Sequence, residues 1–281
     1  MREMCEFRIA ERYAHYMFAP NEGKRLGDSV RKIEIATDDP RFKKIGELQS
    51  EIRAKTAFSF FYGWRLRRYY SNEELEDARL FRLKITCAFE PAGEECGTTY
   101  DESSACQHCG AGAKQISDLF LSWKKLPKRA DIARTIAGEM IVSRKIVELF
   151  RDYAIKGAEF RPVRYWPSSS AESQDRHQLF LKSCSTKIVS PTQTGVDPFD
   201  KDVEDTYRCP RSDLIGLTLI SEAWVKVANE SDLDITASTQ FVGIRRGLLR
   251  PERLIFISPK LRCAIKKEGV KGLQLEVAHV R

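Results

Sequence analysis

The sequence holds no run approaching the ~18–20 consecutive apolar residues that a membrane-spanning helix needs, so it offers no candidate transmembrane helix. Its opening, Met1-Arg2-Glu3-Met4-Cys5-Glu6, mixes charges and lacks an apolar stretch. That predicts no secretory leader and a cytoplasmic protein. Histidine is scarce. His15, His108, His177 and His279 are the whole supply, and none falls in a helical metalloprotease pattern. No nucleophile elbow occurs, and Gly110-Ala111-Gly112-Ala113-Lys114 lacks the spacing of a phosphate loop. A Cys184/His177 pair has no positioned third group to activate it. These absences predict a non-catalytic chain.

What is present suits a packed protein. With 281 residues, 42% of them hydrophobic, the chain can bury a core without covalent staples. The net charge of +7 is small beside 47 basic and 40 acidic residues, and reads as a solvated mixed surface with a mild leaning toward acidic partners or polyanions.

Several segments carry a readable pattern. Up to Asp39-Pro40 the periodicity is weak and supports only short strands and turns. Phe58, Phe60, Tyr62, Trp64 and Leu66 alternate with Ser59, Gly63 and Arg65, which is strand period, with Arg65 and Arg67 facing out. The strip Trp64 to Tyr70 also interleaves aromatics with arginines, as single-strand nucleic-acid platforms do. Ser71-Asn72-Glu73-Glu74 is a capping box, in which hydroxyl and carboxylate each accept the other residue's free backbone N–H. A short helix should follow it, then a strand over Phe81 to Cys87.

The second half contains an internal repeat. Met140-Ile141-Val142-Ser143-Arg144-Lys145-Ile146 matches Ile255-Phe256-Ile257-Ser258-Pro259-Lys260-Leu261, and Ile155 to Phe160 matches Val270 to Leu275 in step. Each copy predicts a strand ending at a serine that caps a helix, then a glycine turn (Gly157, Gly272) into another strand. Ile146, Leu149, Phe150 and Tyr153 share one helix face, as do Leu261, Ala264 and Ile265. Pro167 to Arg176 and Pro191 to Arg208 read as polar loops.

Eight cysteines in a reducing compartment point to metal where they cluster and to core thiols where they do not. Cys96 lies upstream of Cys106-Gln107-His108-Cys109-Gly110, a knuckle whose glycine turn lets two thiolates reach one ion. Tetrahedral zinc needs four ligands. Cys87 is nearest for the last place, with Cys209 and Cys184 as alternatives; His108 sits in the turn and faces outward. The fold class expected is α+β: mixed sheets with short helices, two strand–helix–strand repeats and an inserted zinc-ribbon-like element. The segments expected are an N-terminal region over 1–86, the ribbon over 87–113 and a C-terminal domain over 114–281.

The knuckle, the repeated units, Ser231-Asp232-Leu233-Asp234 ahead of the second unit, and the ending from Leu254 to Leu275 together resemble a known family. It is the double-CXXCG-motif immunity proteins of bacterial polymorphic toxin systems, over roughly the C-terminal two-thirds of the chain. Where the family places its second CXXCG, this chain has Cys209-Pro210-Arg211-Ser212. The resemblance implies stoichiometric neutralisation of a cognate protein toxin, with structural zinc and no catalytic residues. Many neutralisers of basic nuclease toxins are acidic, so a net charge of +7 fits that kind of toxin poorly. Basic side chains of the link before the repeat, Lys124, Lys125, Lys128 and Arg129, are candidate partner contacts. A zinc-ribbon nucleic-acid-binding protein is the alternative reading.

Overall fold

The computed structural model describes residues 1–167, 172–227 and 233–281. Ser231 and Asp232, and the part of the first polar loop at 168–171, lie outside them. The chain forms two compact units, Met1–Asp77 with Gly195–Lys201, and Ala78–Thr194 with Asp202–Arg281.

The first unit runs β1 (Arg2–Ala10), α1 (Glu11–Ala14), β2 (Lys24–Leu26), β3 (Val30–Ala36), α2 (Pro40–Lys55), β4 (Phe61–Tyr69) and α3 (Asn72–Asp77). Its antiparallel sheet has the order β2-β3-β1-β4. Cys5, Phe7 and Ile9 alternate into the core opposite Ile33 and Ile35. The expectation of only short strands and turns up to Asp39-Pro40 is corrected by the nine-residue β1, and the 16-residue α2 that begins where this stretch ends was not anticipated. Helix α2 begins where Asp39 accepts the Arg41 N–H and Pro40 occupies the first turn. Its buried face includes Gly46 and Gln49, so hydrophobic periodicity could not reveal it. Gln49 Oε1 accepts the N–H groups of Phe60 and Phe61 at 2.7 and 3.1 Å.

The alternation expected from Phe58 is also corrected. Phe60 and Phe61 are both buried while Phe58 and Tyr62 are exposed, because the β1–β4 register shifts at Arg8/Ile9. Beyond the bulge, Leu66 and Arg68 face in. Arg68 pairs with Glu3 and Arg67 with Glu6, so these two arginines of the strip serve the sheet's own carboxylates. The capping box forms: Ser71 N–H donates to Glu74 at 2.8 Å and Glu74 N–H to Ser71 Oγ at 3.1 Å.

The second unit opens with β5 (Leu80–Ile85), β6 (Ala88–Phe89) and a small hairpin of β7 (Tyr100–Asp101) with β8 (Lys114–Gln115). Next come β9 (Leu119–Leu121), β10 (Ile132–Thr135), β11 (Met140–Ser143), α4 (Arg144–Asp152) and β12 (Ala158–Tyr165). Then follow β13 (Glu172–Leu181), β14 (Thr186–Val189) and a hairpin of β15 (Thr194–Asp197) with β16 (Asp200–Lys201), whose residues from Gly195 onward belong to the first unit. The chain ends with β17 (Thr218–Leu219), β18 (Ala223–Val227), β19 (Ile235–Val242), β20 (Glu252–Ile257), α5 (Pro259–Lys267) and β21 (Leu273–Val280). Both stretches read as polar loops therefore carry strand, β13 from Glu172 and β15–β16.

Two six-stranded sheets result: an open one, β6-β10-β11-β13-β12-β9, and a closed barrel, β14-β19-β20-β5-β21-β18. The two orders correspond strand for strand. The pairs β6/β10 and β14/β19 are parallel, as are β9/β12 and β18/β21. The intervening pairs are antiparallel in both sheets. The unit is thus an internal duplication, β5 to β12 and β13 to β21, in which β5 and β13 are exchanged between the sheets. The strand–helix–strand repeat seen in the sequence is the best-preserved part of it.

Polar ties follow the same symmetry. Gly157 O accepts from Lys182 N–H and Gly272 O from Thr86 N–H, each at 2.9 Å. The buried helix faces are Ile146, Leu149 and Phe150 in α4, and Leu261, Ala264 and Ile265 in α5. Ser258 caps α5 by accepting the Leu261 N–H at 3.2 Å. Ser143 occupies the same position at α4 but makes no side-chain cap; its hydroxyl donates to Asp131 at 3.1 Å instead.

Candidate metal centre

Each copy of the duplication carries a turn ahead of the strand that pairs in parallel with its last strand: Cys106–Cys109 between β6 and β9, and Cys209–Ser212 between β14 and β18. The fold brings the two turns together. The sulfurs of Cys106, Cys109 and Cys209 all lie within 4.8 Å of one another, and no other such group of potential ligands occurs among the described residues. Cys106 Sγ and Cys209 Sγ are 3.7 Å apart, far beyond a disulfide bond and close to the ~3.8 Å edge of a tetrahedron built on ~2.3 Å metal–sulfur bonds. Ser212 Oγ lies 3.1 Å from Cys109 Sγ.

The backbone prepares these sulfurs for negative charge. In the first turn Cys106 N–H donates to Ala111 O at 2.8 Å and Gly110 N–H to Cys106 O at 2.7 Å, with Gly110 in the left-handed region. The loop so formed aims the N–H groups of Cys109 and His108 at Cys106 Sγ, which brings that thiol down to about 7. Burial pushes the Cys109 thiol up, against the Ser212 hydroxyl and the Ala111 N–H that favour its thiolate. In the second turn the Arg211 N–H donates to Cys209 Sγ at 3.4 Å. Cys209 is 4% exposed, whereas His108 stands in solvent at the tip of the first turn.

Arginines brace the hairpin that carries the first turn. Arg250 bonds Glu94 at 2.9 Å and also Glu102, with its guanidinium 4.5 Å from the centre of the Tyr100 ring. Arg245 pairs with Glu102 at 3.3 Å. This bracing ties the hairpin to the loop before β20.

Of the sequence-derived ligands, the structure brings together Cys106 and Cys109 and adds Cys209, which the spacing offered only as an alternative. Cys96 and Cys87 stay outside the group. Cys96 is 1% exposed at the end of a short 3-10 turn, where burial pushes its thiol up. Cys87 follows β5, and its carbonyl accepts the Arg134 N–H. A zinc-ribbon-like element over 87–113 is thus not confirmed: two sulfurs of the group come from it and the third, Cys209, from the other copy. Cys184 is exposed, and His177 sits in β13 opposite Val142 and Pro162. Lys124, Lys125, Lys128 and Arg129 are exposed and form no ion pair among the described residues. Beside them stand two exposed aromatics the sequence reading passed over, Trp123 and Trp166; the latter's N–H donates to Leu121 O at the end of β9.

Three convergent thiols on turns that direct N–H groups at sulfur could hold a metal ion, and sulfur donors suit a soft or borderline one. No family model matches the chain, and no curated protein matches it. No helix among the described residues is long and apolar enough to cross a membrane.

Proposed function

We propose that this chain is a non-catalytic binding protein of the toxin-immunity type, whose second unit is tied together by structural zinc. The observation that carries the reading is the meeting of the Cys106–Cys109 and Cys209–Ser212 turns, 103 residues apart in the chain. A double-CXXCG resemblance makes physical sense if the two motifs serve one ion, and this geometry is what such sharing requires. Zinc suits the donor set because thiolates favour it and no redox role is needed. Binding would close a long loop and contribute directly to folding free energy.

For the partner surface, the exposed Lys124, Lys125, Lys128 and Arg129 lie on the same segment as the exposed Trp123, with Lys124 Nζ 6.0 Å from its ring. An aromatic anchor inside a charged rim is a composition that protein interfaces favour. The test is co-expression with the product of each adjacent reading frame, followed by affinity capture. Recovery of a stoichiometric complex and rescue of growth support the reading. Capture of nucleic acid alone, with affinity falling steeply as salt rises, would replace it with the nucleic-acid alternative.

A further inference from the structure

We infer that Ser212 is the fourth donor of the metal centre and holds the place that Cys109 holds in the other copy, giving a site of three sulfurs and one oxygen. The inference rests on the metal-site part of the proposed function and not on the partner.

Backbone geometry establishes the equivalence. Cys106 N–H donates to the carbonyl of Ala111 at 2.8 Å, and Cys209 N–H donates to that of Leu214 at 3.1 Å, the same number of residues on. The second residue past each leading cysteine, His108 or Arg211, sends its N–H to that cysteine's sulfur. The second residue past each trailing donor does likewise: Ala111 N–H points at Cys109 Sγ, and Leu214 N–H at Ser212 Oγ at 3.3 Å. The turns therefore share these three contacts at equal spacing, and duplication puts Cys106 with Cys209 and Cys109 with Ser212. Both cross-contacts span 103 residues, Cys106 Sγ to Cys209 Sγ and Cys109 Sγ to Ser212 Oγ. What sets Ser212 apart from a serine in an ordinary turn is its contact with the opposing Cys109 thiol.

The chemistry of the substitution sets its consequence. A hydroxyl oxygen is a harder donor than a thiolate and keeps its proton far above neutral pH, so it binds zinc more weakly. Ser212 becomes the exchangeable corner of a site whose other three corners are sulfur.

The test uses the full chain, stripped of metal under reducing conditions and titrated with Zn2+ against a chromophoric chelator and with Co2+ by absorbance. Ser212→Cys should tighten Zn2+ binding at least about tenfold and move the Co2+ spectrum toward a four-thiolate pattern; Ser212→Ala should weaken binding about tenfold and alter the Co2+ bands. Wild-type protein that binds metal, with Ser212→Ala unchanged in affinity and spectrum and Ser212→Cys gaining nothing, overturns the assignment. Failure of both wild-type and Ser212→Cys protein to bind metal, with circular dichroism showing both folded, overturns the metal-site reading itself.

Discussion

Asp131 and Asp234 hold the same post in opposite copies of the duplicated unit. Asp131 accepts the Ser143 hydroxyl at 3.1 Å and the Lys271 N–H at 2.9 Å; Asp234 accepts the Ser258 hydroxyl at 2.8 Å and the Lys156 N–H at 3.0 Å. Each carboxylate thus joins the start of its own copy's helix to the turn after the helix of the other copy. Ser143 N–H and Ser258 N–H complete the pattern, donating to Asp131 O and Asp234 O at 2.7 and 2.9 Å.

Removing either carboxylate leaves a backbone N–H and a hydroxyl without their acceptor. Asp131→Ala and Asp234→Ala should each lower stability by about 1–3 kcal/mol, the cost of partly buried polar groups losing their partner. Urea unfolding at neutral pH measures this. A loss within a few tenths of a kcal/mol in both variants would mean that the two ties do not join the copies.

Gly157 and Gly272 make the second matched pair. Both have positive φ, 113° and 103°, and a Cβ on either would fall 2.2 or 2.0 Å from a carbonyl oxygen, that of Ile235 or Ile132. Alanine at either site meets backbone that cannot swing aside, besides a left-handed cost of about 1–2 kcal/mol. Gly157→Ala and Gly272→Ala should each reduce the melting temperature by several degrees, whereas Gly27→Ala, with open space around it, should cost less. Equal effects at all three would show that the close approach is not real.

How far the sequence disclosed this fold depended on where each signal resides. The helices α4 and α5 were legible because serine, apolar spacing and glycine are local. The exchange of β5 and β13 was not, since strand partners distant in sequence leave no local mark. Helix α2 escaped because its core-facing side includes Gly46 and Gln49, and β4 was misphased by a bulge that adds no distinctive residue. At the centre, Cys106 and Cys109 announce themselves by spacing. Cys209 shows only half a motif, and Cys96 mimics a ligand while packing as a core thiol. The place of Ser212 at the end of that half motif was legible from the resemblance; its contact with Cys109 Sγ was not.

Glu139 gives the unit a pH dependence. It is 6% exposed and accepts hydrogen bonds from Gly93 N–H, the Tyr100 hydroxyl and the Thr135 hydroxyl; burial, with Glu94 adding to it, raises its pKa above the ordinary 4.5 despite those donors. The folded state therefore binds the proton more tightly than the unfolded chain. Its contribution is full below about pH 4.5 and is lost as pH rises through the folded value. Glu139→Gln should flatten this part of the stability–pH curve while leaving its Thr135 and Tyr100 contacts available. Denaturant midpoints taken between pH 4.5 and pH 8 decide the matter; parallel curves for the two proteins would refute it.

The central claim is that two turns 103 residues apart hold one ion. Its most direct test is the metal content of protein kept reduced and free of chelator, for wild type and for single cysteine variants. Wild-type protein should carry about one equivalent of zinc, and Cys209→Ser should lose it as fully as Cys106→Ser or Cys109→Ser, each with a fall in stability because structural zinc contributes folding free energy. Cys96→Ser and Cys87→Ser should keep their metal. A Cys209→Ser protein with its zinc intact, or a Cys96→Ser protein without it, would contradict the account.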